Sequence, residues 1–106
     1  MLTLALAVAA ATAPVQDYGY TKISAGNFAQ AEAQLLAVRA EQPGEPSAMI
    51  NLATVYARTG RAADAALLYQ AALDAPNVQL ELGNGSPAWS HELARRGLNR
   101  MQLAAR

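Results

Sequence analysis

The stretch Asn51-Leu52-Ala53-Thr54-Val55-Tyr56, followed by Thr59-Gly60, Ala65, Tyr69, Ala72-Leu73 and Pro76, decides how this sequence folds. Between Ser47 and Arg58, the residues Ile50, Leu52, Ala53, Val55 and Tyr56 fall at helical spacing, and Thr59-Gly60 then supplies a stop that tolerates left-handed backbone. The spacing predicts a helix of about three turns. From Ala62 to Asp74, the residues Ala65, Leu68, Tyr69, Ala72 and Leu73 recur at three and four, and Pro76 ends the run. So short a connection turns the second helix back on the first, and Ala53 and Ala65 let the two backbones approach closely. The unit is a helical hairpin.

Working outward, Gly26-Asn27-Phe28-Ala29-Gln30-Ala31 aligns with Gly60-Arg61-Ala62-Ala63-Asp64-Ala65, 34 residues further on. Pro43 and Pro76 nearly keep the step, the second unit being one residue shorter at its end. Self-similarity at a fixed period of this size is the mark of a repeat architecture. Over Pro46 to Pro76 these residues resemble the tetratricopeptide repeat family, with Met49 where the family commonly has Trp and Ala53 where it often has Gly. Upstream, Gly26, Phe28, Ala31, Leu35 and Pro43 fit the second helix of another repeat. Tyr18-Gly19 fits the small-residue step of its first helix, which is expected over Val15 to Ser24, and Lys22 stands where the family usually carries Tyr. The competing reading is an unrelated helical bundle whose alanine-rich pattern imitates the repeat.

The resemblance implies an all-α fold, with two hairpins over residues 14–76 arranged as in a right-handed α-α superhelix. It also implies a concave groove, lined by first-helix side chains, that accepts a peptide or a partner's helix. The matching positions are Tyr20, Ser24, Ile50, Thr54 and Arg58. There Tyr20 would offer rigid apolar contact with one hydrogen bond, Thr54 a partner for backbone, and Arg58 a charge for a carboxylate. The Lys and Asn residues with which some family members clamp a C-terminal carboxylate are not at these positions. The implied function is a non-catalytic protein-binding adaptor. The alternative is a self-associating scaffold, because two repeats are fewer than the three an independent array usually needs.

The last third differs in kind. Val78-Gln79-Leu80-Glu81-Leu82 alternates apolar and polar residues and runs into the turn signal Gly83-Asn84-Gly85. Residues 77–89 therefore read as a strand-and-turn linker. In the preferred reading Ser86-Pro87-Ala88-Trp89 returns as the second arm of a short β-hairpin and Ser90 caps the next helix; in the other, Ser86 caps a helix whose first residue is Pro87. Either way Leu93, Ala94, Gly97, Leu98, Met101 and Ala105 form one stripe of a helix over 90–106, with Arg95, Arg96, Asn99, Arg100, Gln102 and Arg106 largely outside it. Such a helix caps the apolar end that stacked repeats leave open.

Composition narrows the chemistry. The chain has 106 residues, of which 53% are apolar and 15% charged, and 26 are alanine, which suits one small helical domain and excludes a solvated disordered chain. Eight acids balance eight bases, so no whole-chain field attracts nucleic acid or an anionic membrane. Locally, residues 86–106 carry four arginines and one acid, whereas residues 14–85 carry four bases and seven acids. Arginines without interleaved aromatics are a weak nucleic-acid signal, and the cap's solvated face is the preferred reading, with an acidic surface of a second copy as another taker. There is no cysteine and a single histidine, so thiolate chemistry and any cysteine-ligated or all-histidine metal site are excluded. Ser90-His91-Glu92 names a nucleophile, a base and an acid, but consecutive helical residues diverge by about 100° and cannot form a relay. His91 reads instead as a solvated first-turn residue. No catalytic residue, metal or cofactor is expected.

Residues Met1 to Ala13 are an uncharged run of mostly Leu, Ala and Val, too short to span a bilayer and matched to the apolar centre of an export signal. Ala9-Ala10-Ala11 and Ala11-Thr12-Ala13 offer cleavage sites, the first preferred because a cut after Ala13 would put Pro14 at the new terminus. On this reading the protein is periplasmic or secreted from a bacterium, with no stable membrane span once the leader is removed. No Lys or Arg precedes the run, and an ordinary buried helix is the alternative.

Overall fold

Pro46 opens the best-formed hairpin. Its ring is compatible with the first helical position, and the carboxylate of Glu45 accepts the Ser47 N–H at 3.2 Å, satisfying one of the free donors at the helix start. In the computed structural model, which describes residues 14–104 with side chains through residue 102, this helix and its return are preceded by a shorter pair and followed by a β-hairpin and a last helix. In chain order the elements are α1 (Tyr20–Ser24), α2 (Phe28–Glu41), α3 (Pro46–Arg58), α4 (Ala62–Asp74), β1 (Gln79–Glu81), β2 (Pro87–Trp89) and α5 (Ser90–Ala104). The leader-like residues 1–13 lie outside the described part.

Gly60 at φ 79° ends α3 as the sequence predicts, and the Arg61 N–H closes the turn on the Tyr56 carbonyl at 2.8 Å. α4 then packs along α3, α2 packs on α3 from the other side, and α5 lies against both α4 and α3. Leu35, Leu52, Val55, Ala65 and Ala72 meet in the resulting core, all fully buried. Each of the larger ones contributes about 2 kcal/mol by leaving water. On the outside, the Arg61 guanidinium forms a two-pronged ion pair with Glu32 of α2 and stacks 4.4 Å from the centre of the Tyr56 ring.

The first hairpin departs from expectation. The helix predicted over Val15 to Ser24 is confined to Tyr20–Ser24. Gly19 sits at φ 74°, a left-handed conformation that no right-handed helix can contain, so the chain cannot run helically from Val15 into α1. Residues 14–18 instead lie extended and turned, with Val15 bridging Leu82 in antiparallel fashion and the Gln16 N–H donating to the Glu81 carbonyl at 2.7 Å.

The β-hairpin of the preferred reading forms, with Gln79, Leu80 and Glu81 opposite Trp89, Ala88 and Pro87. Leu80, Leu82 and Ala88 pack on the core, while Gln79, Glu81, Pro87 and Trp89 face outward, as the alternation requires. Ser90 begins α5 but does not cap it. Its buried Oγ accepts the Val78 N–H at 2.9 Å, and the Oδ1 of Asn77 takes the His91 N–H at 3.0 Å. His91 is not solvated as expected either: its Nε2–H donates to the Ala75 carbonyl at 2.6 Å, because the loop after α4 folds back over the start of α5. The predicted cap stripe holds as far as Met101, with Leu93, Ala94 and Gly97 buried and Leu98 and Met101 packed beside them; Ala105 and Arg106 lie outside the described residues. Gly97 is needed for close approach, since a Cβ there would stand 2.3 Å from the Tyr69 ring.

Candidate functional site

In α3, Ser47, Asn51, Thr54 and Arg58 recur at four, three and four residues and so form one polar stripe down an otherwise apolar helix. Burial of three of them obliges each to find partners. Asn51 is wholly buried, and its amide closes on the N-terminal segment: Oδ1 accepts the Val15 N–H at 2.7 Å, while Nδ2 donates to the carbonyls of Val15 at 3.0 Å and Tyr18 at 2.7 Å. One turn earlier, Ser47 Oγ donates to Asp17 Oδ2 at 2.9 Å. The upper half of the stripe thus holds a bridged and turned segment of the chain itself, in which the Asp17 N–H donates to the Val15 carbonyl at 2.8 Å.

The lower half faces α4. Thr54 Oγ1 donates to the Ile50 carbonyl at 3.0 Å. Burial pushes the Tyr69 phenol above its ordinary pKa, and the Thr54 hydroxyl and the charges of Arg58 and Arg100 pull it part of the way back. Arg58 itself is exposed at the end of the stripe.

The five residues expected in a groove therefore have different fates. Ile50 and Thr54 are buried, 3% and 4% exposed, so neither touches solvent or a partner in this state. The resemblance places them on an open concave face, whereas both are buried in a helix that α4 and α5 pack against. Tyr20 is half-buried with its ring on the hairpin turn: a Cβ on Gly83 would stand 2.4 Å from it. Ser24 and Arg58 are exposed. Ser47 and Asn51, which hold the N-terminal segment, were not singled out as site residues from the sequence. The usable signal was Asn51 itself, an amide set between Ile50 and Leu52 in an apolar run, which has to be satisfied by something distant in sequence.

Two open clefts flank these elements. One, of about 400 Å³, lies beside α1 and is lined by Asp17, Tyr20, Lys22 and Gln34 among others. The other, of about 430 Å³, lies between the β-hairpin and α5, with half-exposed Trp89 beside Gln79, Glu92 and Arg96; the last two are ion-paired. Among the described residues there is no cluster of His, Asp or Glu able to hold a metal ion, and no helix is long and apolar enough to cross a membrane.

The family model described as tetratricopeptide repeat matches residues 19–79, a span that takes in all of α1 to α4. No curated protein and no solved structure matches the chain.

Proposed function

Because the chain belongs to the tetratricopeptide repeat family, whose repeats generally mediate protein–protein interactions, we propose that it is a non-catalytic adaptor that binds a peptide or a helix of a partner protein. The observation that carries this reading is the family match across both hairpins. On it, the exposed residues of the expected groove, Ser24 and Arg58, and the half-buried Tyr20 make the contacts, and the buried Ile50 and Thr54 support them from below. Arg58 would take a carboxylate and Tyr20 an apolar group with one hydrogen bond. Residues 1–13 enter the same proposal as an export leader, which places the adaptor outside the cytoplasm; mass spectrometry of the N-terminus of protein from its native host tests that part, an intact Leu2 to Ala11 refuting it.

Affinity capture from envelope and cytosolic fractions of the host, using the full chain beside a Tyr20→Ala/Arg58→Glu variant of equal melting temperature, tests the adaptor reading. A discrete partner that the variant no longer captures supports it. Capture of the protein itself alone, unchanged in the variant, favours the self-associating scaffold, for which Leu67, 71% exposed on the outer side of α4, is the most available apolar contact.

A further inference from the structure

Residues 14–18 contact the rest of the molecule in the way a bound peptide contacts its receptor. The backbone of Val15 is read on both its N–H and its C=O by one side-chain amide, that of Asn51. The Val15 side chain is fully buried. Two residues on, the Asp17 carboxylate accepts from Ser47 Oγ. On the other side, the segment pairs with the hairpin through Gln16 N–H to Glu81 C=O and the Val15–Leu82 bridge. A backbone hydrogen bond to a sheet edge, one pocketed apolar side chain and one read charge are elements by which proteins recognise short peptides.

We infer that the slot between α3 and β1 is a recognition site for a partner peptide that follows the same bridged and turned path, with a β-branched apolar residue followed, two positions later, by a carboxylate, and that Pro14–Tyr18 is its built-in occupant. The inference rests on the adaptor reading and names its ligand class. The chemistry of the ligand is taken from what is seated there: Asn51 demands a turned backbone that presents one N–H and two carbonyls, the pocket a compact apolar side chain, and Ser47 an acceptor. Because the segment is tethered, its effective concentration at the slot is on the order of millimolar, so a free peptide competes poorly until the segment is displaced. Gly19, at positive φ directly after the segment, separates it from α1 and leaves the helix intact when it leaves.

The test uses the full chain and a fluorescent synthetic peptide with the sequence of residues 14–19. In a Val15→Asp chain the tethered segment carries a charge into an apolar pocket and is expelled. The peptide is then expected to bind this chain at least tenfold more tightly than the unsubstituted one, and a peptide whose valine is replaced by aspartate is expected not to bind. Adding Asn51→Ala to the Val15→Asp chain should weaken binding at least tenfold. Should the Val15→Asp chain melt near room temperature, the valine peptide is expected to raise its melting temperature in a concentration-dependent way, and the aspartate peptide not to.

Equal binding by the two chains, equal binding of the two peptides, or no rescue of a destabilised Val15→Asp chain overturns the inference. A wild-type copy that donates its own segment to a Val15→Asp copy, seen as a dimer at micromolar concentration, assigns the slot to a second copy and overturns the partner-peptide assignment. The two readings fail separately. A host protein captured through Tyr20 and Arg58, with no binding of the valine peptide to the Val15→Asp chain, leaves the adaptor and removes the slot; peptide binding with no partner captured from the host leaves the slot and removes the adaptor.

Discussion

The two hairpins start from sequence patterns 34 residues apart and end with first helices of very different length, five residues in α1 and thirteen in α3. Both place a small residue at the same step, Gly19 in one and Ala53 in the other. Alanine continues a helix, and glycine permits the φ of 74° at which the helix stops in the first hairpin, leaving the upstream chain free to go elsewhere. In the first hairpin it goes to α3, where Asn51 receives it. A repeat that is locally incomplete thereby supplies the segment that its neighbour holds. At the other end a glycine again permits close approach: a Cβ on Gly97 would meet the Tyr69 ring, so α5 lies tightly against α4.

The comparison can be broken most severely at Gly97. Gly97→Val puts atoms inside the Tyr69 ring and should cost about 3 kcal/mol or more by forcing α5 off α4, read as a lowered urea midpoint with the helical signal of α5 partly lost. Asn51→Ala comes next. It leaves one buried N–H and two carbonyls unmatched while sparing the apolar packing of α3, and should cost about 2–3 kcal/mol in the same assay. Gly19→Ala is expected to cost about 1–2 kcal/mol, because the substitution strains the left-handed backbone and presses on Leu35 at 3.1 Å, whereas Ala53→Gly in the other hairpin should cost about 1 kcal/mol through helix propensity alone.

Two pH effects sharpen the contrast between the interior of the second hairpin and the surface that joins the two. Tyr69 is held protonated by burial, so the folded state binds its proton more tightly than the unfolded chain does; stability should fall as pH rises above 10.0 toward its higher folded value, and Tyr69→Phe should remove that part of the loss. Glu32 is shifted the other way by its hydrogen bonds to Arg61. Its contribution is present above 4.5 and fades as pH drops through its lowered folded value, and because the pair is largely solvated the effect should be the smallest of the set and shrink further in high salt. Thermal melts across pH, with Glu32→Gln as the control, measure both.

What was legible in the sequence was what local pattern determines. The boundaries of α4 follow from the spacing of Ala65, Leu68, Tyr69 and Ala72 and from Pro76, and the β-hairpin follows from alternation around Gly83-Asn84-Gly85. The cap stripe of Leu93, Ala94 and Gly97 was equally plain. The path of residues 14–18 was not, since it is fixed by three hydrogen bonds from Asn51, 36 and 33 residues away, and by the sign of φ at Gly19, which the residue's identity permits but does not require. Ile50 and Thr54 read as groove residues because the family's first helices present those positions outward; their burial is a tertiary outcome of α4 and α5 packing on α3. His91 and Ser90 were mistaken in the same way, their partners Ala75, Asn77 and Val78 being brought back by a loop with no periodic signature.

The claim on which the account depends most is that Pro14–Tyr18 is an exchangeable occupant rather than a fixed part of the core. Native-state amide hydrogen exchange of the full chain tests it directly, by comparing Val15 and Gln16, whose N–H groups are bonded to Asn51 and Glu81, with Ala53 and Leu68 in the helices behind them. Val15 and Gln16 are expected to be protected but to open at a lower free energy than Ala53 and Leu68, through release of the segment alone. Exchange of Val15 and Gln16 at the same free energy as the helical core, reached only by unfolding the whole domain, would contradict it.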